Sequence, residues 1–389
     1  MSRRPVGHDP EQPYPTPNRK PDANTMIEAV NDVEEESALA ALHARCAGAG
    51  TVAGSVLLRL PAGRPPWQPT GLELRAGQAY SVFARGRVQW APGHPELHGG
   101  PRFHLWLRVT PGGRIRNLRA DSDSFVADVD GELEACIHMG MWRDDRGALA
   151  TGPELHARLS GGLEALVIAW QTTASEGLED LGRDCPSRLL TAEATRLAAP
   201  DPTPAGWHAL LETGESRLFS TATTPAGTPA IAIAGEDDQG ILCRDVDFPL
   251  LPDTRLSWAW RLDAHPSALP EDSTRAHDYI SIATEFDNGR DLTWFWSVSL
   301  PPGHHFPCPV KAWSARETHL VARSGTTGLG AWQREERAVW QDVASAMGPP
   351  PARIVRIWLI AVASFQHGRL RASFSDIRLR SAGRELEVL

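Results

Sequence analysis

Lysine is nearly absent: of 39 basic residues only Lys20 and Lys311 are lysines. An arginine bias of this kind reflects genome composition rather than a binding surface. With a formal net charge of -9 and no dense basic cluster, nucleic acid is excluded as the main partner, because phosphate neutralisation supplies most non-specific affinity. Long apolar runs are missing too. No stretch reaches the roughly 20 apolar residues of a membrane span, and the arginines near the start have no apolar segment behind them, so no secretory signal is read. A cytoplasmic protein without a membrane partner is expected. The five cysteines, Cys46, Cys136, Cys185, Cys243 and Cys308, are odd in number and form no Cys-x-x-Cys pair, which suits reduced thiols better than a disulfide framework or a zinc site. There is no Gly-rich phosphate loop, nucleophile elbow, His-Glu-x-x-His or dinucleotide fingerprint, so no organic cofactor is expected.

What the chain does have is length, turns and tryptophan. Its 389 residues suit two domains. A 41% hydrophobic and 22% charged composition is that of folded protein. With 34 Gly, 32 Pro and 14 Trp, the expected fold class is all-β: two jelly-roll-like β-sandwich domains, an N-terminal helix and one helix in the second domain. Residues 1–22 are Pro-rich and polar and read as a disordered tail. Residues 23–50 hold the helix, with Met26, Val30, Val33, Leu39 and Leu42 on its apolar side. That side either packs on the protein's own sandwich or forms a homo-oligomer contact.

From residue 51 the pattern changes to period 2, with eight short strands before about residue 170 and turn signals such as Gly112-Gly113, Asp130-Gly131 and Gly161-Gly162. The first sandwich is assigned to residues 51–199. Its runs TGLELRAGQAYSVFARGRVQW, FHLWLRVTPGG and SGGLEALVIAW resemble the galactose-binding-like sandwich of the calcium-dependent bacterial galactophilic lectins, over residues 55–170. The resemblance implies a sugar and a calcium ion held at loops. Here the matching loop offers Asp144 and Asp145 as Ca2+ ligands, but it lacks the paired Asn residues, and Arg143 and Arg146 flank the acids. A solvated turn with Asp-Arg pairs is the alternative. His94, His98 and His104 are close in sequence and either meet at a metal or stay apart as loop residues.

Asp201-Pro202-Thr203-Pro204 is a rigid linker signal, and the second sandwich is assigned to residues 200–389. Its one helical pattern covers residues 329–348 and ends at Pro349. Gly235 to Gly240 reads as a hairpin turn. LCRDVDFPLLPDTRLSWAWRLD, HDYISIATEFD, WFWSVSLPPG and VARSGTTGLGAWQREERAVWQD resemble the bacterial domain-of-unknown-function family numbered 3047, over about residues 230–380. The resemblance implies a jelly-roll-like sandwich with no settled biochemical role. The chain departs from that family's acid-bearing segments at residues 309–313 and 361–366, which leaves a more apolar environment.

The candidate site lies on residues 277–300, HDYISIATEFDNGRDLTWFWSVSL, a hairpin turning at Asn288-Gly289. Tyr279, Trp294, Trp296 and Trp313 are candidate ligand-binding rings, with Arg323 and Glu335 as polar partners. Trp294 and Trp296 share one strand face and Phe295 the other, so the tryptophan face is either core or ligand surface. Asp278 and Glu285 differ in strand parity and cannot pair without a bulge. Asp278 with His304 or His305 is the candidate acid/base set. The leading reading is a carbohydrate- or small-molecule-binding protein with its ligand on the second domain or in the interdomain groove. The alternative is an enzyme without organic cofactor, a glycan hydrolase or lyase or a natural-product cyclase or isomerase.

Overall fold

The computed structural model describes residues 38–64, 67–184, 186–199, 201–273 and 277–389. The expected tail and the first turns of the N-terminal helix lie outside them. Residues 52–170 build two antiparallel sheets. One runs in the order Val52–Pro61, Ser160–Trp170, Ala79–Gln89, His98–Gly99, with Ser122–Val126 also on Ala79–Gln89; the other runs Gln68–Leu74, Gly131–Ile137, Leu105–Thr110, Arg116–Asn117. Alternate residues point to opposite faces: Leu163, Ala165 and Val167 enter the core between these sheets, while Leu166, Ile168 and Trp170 enter a second core beneath helices. Burial on both faces explains why the 160–170 strand is an almost continuous apolar run.

The helices of that outer layer are residues 38–46, Ala174–Asp184 and Arg188–Ala198. Leu39 and Leu42 are spent on this layer, so the apolar residues offered for a homo-oligomer contact are, at these positions, covered by the chain's own sheet. Glu193 of the last helix is fully buried and accepts hydrogen bonds from Ser122 at 2.8 Å and Ser124 at 2.7 Å. Among the described residues no helix is long and apolar enough to cross a membrane.

The second sandwich pairs a seven-stranded sheet, ordered His208–Ala209, Gln239–Pro249, Arg353–Val362, Ile280–Phe286, Asp291–Ser297, Glu317–Ser324, His305–Pro307, with a six-stranded one, ordered Phe219–Thr223, Pro229–Glu236, Arg369–Ser381, Arg255–Leu262, Gln333–Ala338, and Arg384–Glu387 on Arg369–Ser381. Trp258, Trp260, Trp294 and Trp296 fill the space between them with Ile282, Phe286, Leu359 and Phe374. The chain is all-β in class, as expected, with the aromatic surplus placed in this core.

Three readings are corrected. The helix over 329–348 is a strand, Gln333–Ala338, followed by a shorter helix, Val339–Ala346. The alternating polar run pairs with the edge of Arg255–Leu262, and only Val339 and Val343 need a helical face to reach the core. Residues 235–240 are not a hairpin turn, since the strand before them belongs to the six-stranded sheet and the one after to the seven-stranded sheet. Ala174–Asp184, where the expected fold class placed no helix, is a helix opened by a capping box in which Thr173 N–H donates to Glu176 at 3.1 Å and Glu176 N–H donates to the Thr173 hydroxyl at 3.3 Å.

Candidate functional site

The outer face of the seven-stranded sheet, turned away from the sandwich core, carries the polar chemistry. Leu292, Trp294 and Trp296 point inward, so Asp291, Thr293 and Phe295 point outward. Register then aligns rows across the face: Glu285 opposite Asp291, Asp291 opposite Glu317, and Thr293 opposite His319. All of these side chains are buried. Arg316 reaches over the carboxylate row, 3.8 Å from Asp291 and 3.9 Å from Glu285, and anchors on Glu212 at 3.1 Å.

Asp278 joins this face from just outside the strand. Its φ of 50° is left-handed, a conformation Asp tolerates better than most residues, and Ser281 Oγ donates to its carboxylate at 3.1 Å. The expected histidine partners are elsewhere: His304 and His305 are exposed. The partner is His319, fully buried, whose Nε2 lies 3.5 Å from Asp278 Oδ2 and 3.4 Å from Glu317 Oε2. Phe295 and Phe306 wall its ring at 5.9 and 5.2 Å. Glu285 lies on this same face, because the left-handed turn at Asp278 overrides the parity that would have separated the two carboxylates, but it pairs with Arg356 at 2.9 Å.

Burial opposes every charge here, and the charges answer one another. Burial pushes the Asp278 carboxyl up to about 7, with His319 pulling the other way. His319 rises to about 9 against its own burial, because Asp278 and Glu317 flank it. That imidazolium holds Glu317 down to about 2, although burial would raise it. Burial, and then neighbouring Glu317, lift Asp291 well above the carboxylate range. Burial together with Glu317 and Asp278 keeps the Cys308 thiol protonated.

Asp278, Cys308 and Glu317 of this cluster line a cleft of about 370 Å³ between the two sandwiches, while His319 and Asp291 are not part of its wall. Trp90, Phe103, His104, Trp106 and His138 line it from the first sandwich; Ile241, Ile360, Val362, Phe365 and Trp313 line it from the second, with His277, Asp278, Cys308 and Glu317 beneath. Both segments at which the sequence departs from the resembled family, 309–313 and 361–366, contribute to these walls. The cleft is held by interdomain contacts: Arg102 with Asp238 at 3.0 Å, Asn117 exchanging hydrogen bonds with the Glu215 backbone at 3.0 and 2.7 Å, and the Trp90 and Phe365 rings 5.2 Å apart. A larger groove on the first sandwich, about 1400 Å³, is open, and its charged residues Glu73, Arg75 and Asp130 are exposed.

Of the expected ligand-binding residues, Trp313 lines the cleft. Trp294 and Trp296 are fully buried between the sheets, donating to Asp342 and to the Gly325 carbonyl, each at 2.9 Å. Tyr279 is buried and donates to the Leu269 carbonyl. Arg323 and Glu335 satisfy each other at 2.8 Å, with the guanidinium over Trp296. Asp144 closes its own turn by accepting from the N–H groups of Arg146 and Ala148, and Asp145 meets Arg114 at 3.2 Å. His94, His98 and His104 do not converge: His94 faces Glu96, His98 stacks on His367, and His104 accepts from Trp90 Nε1 at 2.8 Å. Cys308, Glu317 and His319 were not singled out from the sequence.

Residues 212–378 match the family described as "Protein of unknown function (DUF3047)". The match falls on the half for which the sequence resemblance to that family was drawn. No curated protein matches the chain. Among solved structures, similarity is found to the N-terminal domain of EclA, a PllA-like lectin, at 14% identity over 29% of this chain and 95% of that one, with a TM-score of 0.24. It is also found to the xyloglucanase domain of NopAA, a type three effector from Sinorhizobium fredii, in complex with cellobiose, at 9% identity over 46% and 97%, TM-score 0.27. A mutant of the ENZbleach xylanase follows at 10% identity over 44% and 74%, TM-score 0.20.

Proposed function

We propose that this protein binds a carbohydrate or a comparably sized polar-aromatic molecule in the cleft between its two sandwiches. The observation that carries the reading is the cleft itself: its volume of about 370 Å³ is in the range of small-ligand sites, and a mostly apolar, ring-lined wall over a few convergent polar groups is the usual composition of such sites. A panel of oligosaccharides and aromatic glycosides titrated by calorimetry tests the proposal. Ile360→Trp, which fills the cleft, is expected to abolish binding, and Trp313→Ala to weaken it about 10-fold, or roughly 1.4 kcal/mol. Parental binding by the Ile360→Trp protein removes the reading.

A second reading is favoured by one observation: the carboxylates of Asp278 and Glu317 both line the cleft and both approach His319 Nε2, at 3.5 and 3.4 Å. Such groups within reach of a bound ligand are the means of acid-base chemistry, so the protein acts as an enzyme without organic cofactor, a hydrolase, lyase or cyclase. Asp278→Asn is then expected to bind ligand and fail to convert it, as followed by mass spectrometry of the products. Unchanged turnover in this variant counts against the catalytic reading while leaving the binding reading in place.

A further inference from the structure

The Cys308 sulfur, a Glu317 carboxylate oxygen and a His319 ring nitrogen all lie within 4.8 Å of one another. The fold explains the convergence. Glu317 and His319 are two apart on one strand and share its outer face, and Cys308 follows the short strand His305–Pro307 paired alongside, its N–H donating to the Glu317 carbonyl at 3.0 Å. The separations of 3.4 and 3.5 Å between His319 Nε2 and its two carboxylates are long for charge-assisted hydrogen bonds, which close to about 2.7–2.9 Å. The His319–Glu317 separation equals the edge, about 3.4 Å, of a tetrahedron whose corners lie about 2.1 Å from a central ion. His319 is fully buried, its Nδ1 has no hydrogen-bond partner, and its Nε2 has only these two long carboxylate contacts, which a metal bond at Nε2 would replace with a short one.

We infer that Cys308, Glu317 and His319 bind one transition metal ion of the zinc class at the floor of the cleft, with the fourth coordination position open to the cavity beside Asp278. Thiolate, imidazole and carboxylate together select zinc, cobalt or iron over calcium and magnesium. Three protein ligands with an open corner form the pattern of a catalytic rather than a structural site. Binding replaces the thiol proton by the metal: the S–H bond breaks, the sulfur keeps the electron pair and donates it to the ion, and the proton leaves to solvent. The inference rests on the reading of the cleft as the ligand site.

Chelator-treated full-length protein titrated with Co2+ tests it without any organic ligand present. One equivalent should bind, with a thiolate-to-cobalt charge-transfer band that Zn2+ then displaces. Cys308→Ser, which preserves size, should lose that band. His319→Gln should weaken binding by more than the roughly 10–100-fold typical of a residue behind a ligand. Absence of stoichiometric uptake by the folded parent, or a band retained in Cys308→Ser, overturns the assignment. The Ile360→Trp protein should still take up one equivalent. Loss of glycan binding in that variant alongside a failed Co2+ titration leaves the cleft reading standing and removes the metal alone.

Discussion

Asp278 and Trp296 sit in the same hairpin region and do opposite work, and single-atom surroundings decide which. Asp278 turns through a left-handed backbone onto the outer face, where Ser281 and His319 receive it. Trp296 points inward, 5.7 Å from the Trp260 ring and with its indole N–H spent on a carbonyl. Removing that ring leaves a cavity as well as lost transfer free energy, so Trp296→Ala is expected to cost about 3–5 kcal/mol, read as a lower urea midpoint at unchanged slope. A stability within about 1 kcal/mol of the parent contradicts its place in the core. The conservative swap from ligand face to core turns on one fact of parity, that Phe295 rather than its neighbours looks outward.

The strand Glu317–Ser324 is the element that makes the site. Period-2 alternation alone puts Glu317 and His319 on one face, and that much was legible. The candidate partner for Asp278 was the adjacent pair His304-His305, because carboxylate-histidine sets are easiest to see locally. What brings His319 to Asp278 is a parallel pairing of Glu317–Ser324 with Asp291–Ser297, and parallel neighbours need a long connection that leaves no periodic trace. The Gln333–Ala338 strand was hidden for another reason. It is an edge strand with charged side chains on both faces, so it lacks apolar alternation and borrows the helical period of the residues after it. The helix at Ala174–Asp184, in contrast, carries a local signal, the capping-box spacing of Thr173 and Glu176.

At the scale of the molecule, the first sandwich contributes to the cleft through His104, a buried histidine whose protonation the fold opposes. Trp90 Nε1–H donates to its Nε2, and its Nδ1–H donates to the His138 carbonyl at 3.0 Å. A second ring proton would face a donor, and burial already lowers the pKa to about 4 from 6.5. The folded state therefore binds this proton less readily than the unfolded chain. The stability that follows is complete above about pH 6.5 and is lost as pH falls toward 4, by up to about 3 kcal/mol. Urea midpoints at neutral pH and at about pH 4.5 should show the loss, and His104→Gln should flatten the slope; a parental slope in that variant assigns the loss to other groups. The sequence by itself determined the class, the two runs of strands and the family resemblance of the second half, because side-chain period, turn residues and aromatic content act locally. Only the tertiary structure decided where the chemistry lies. Cys308, Glu317, His319 and Asp278 come from separate segments, and the walls above them from two different sandwiches, brought together by strand register and interdomain packing that depend on contacts distant in sequence.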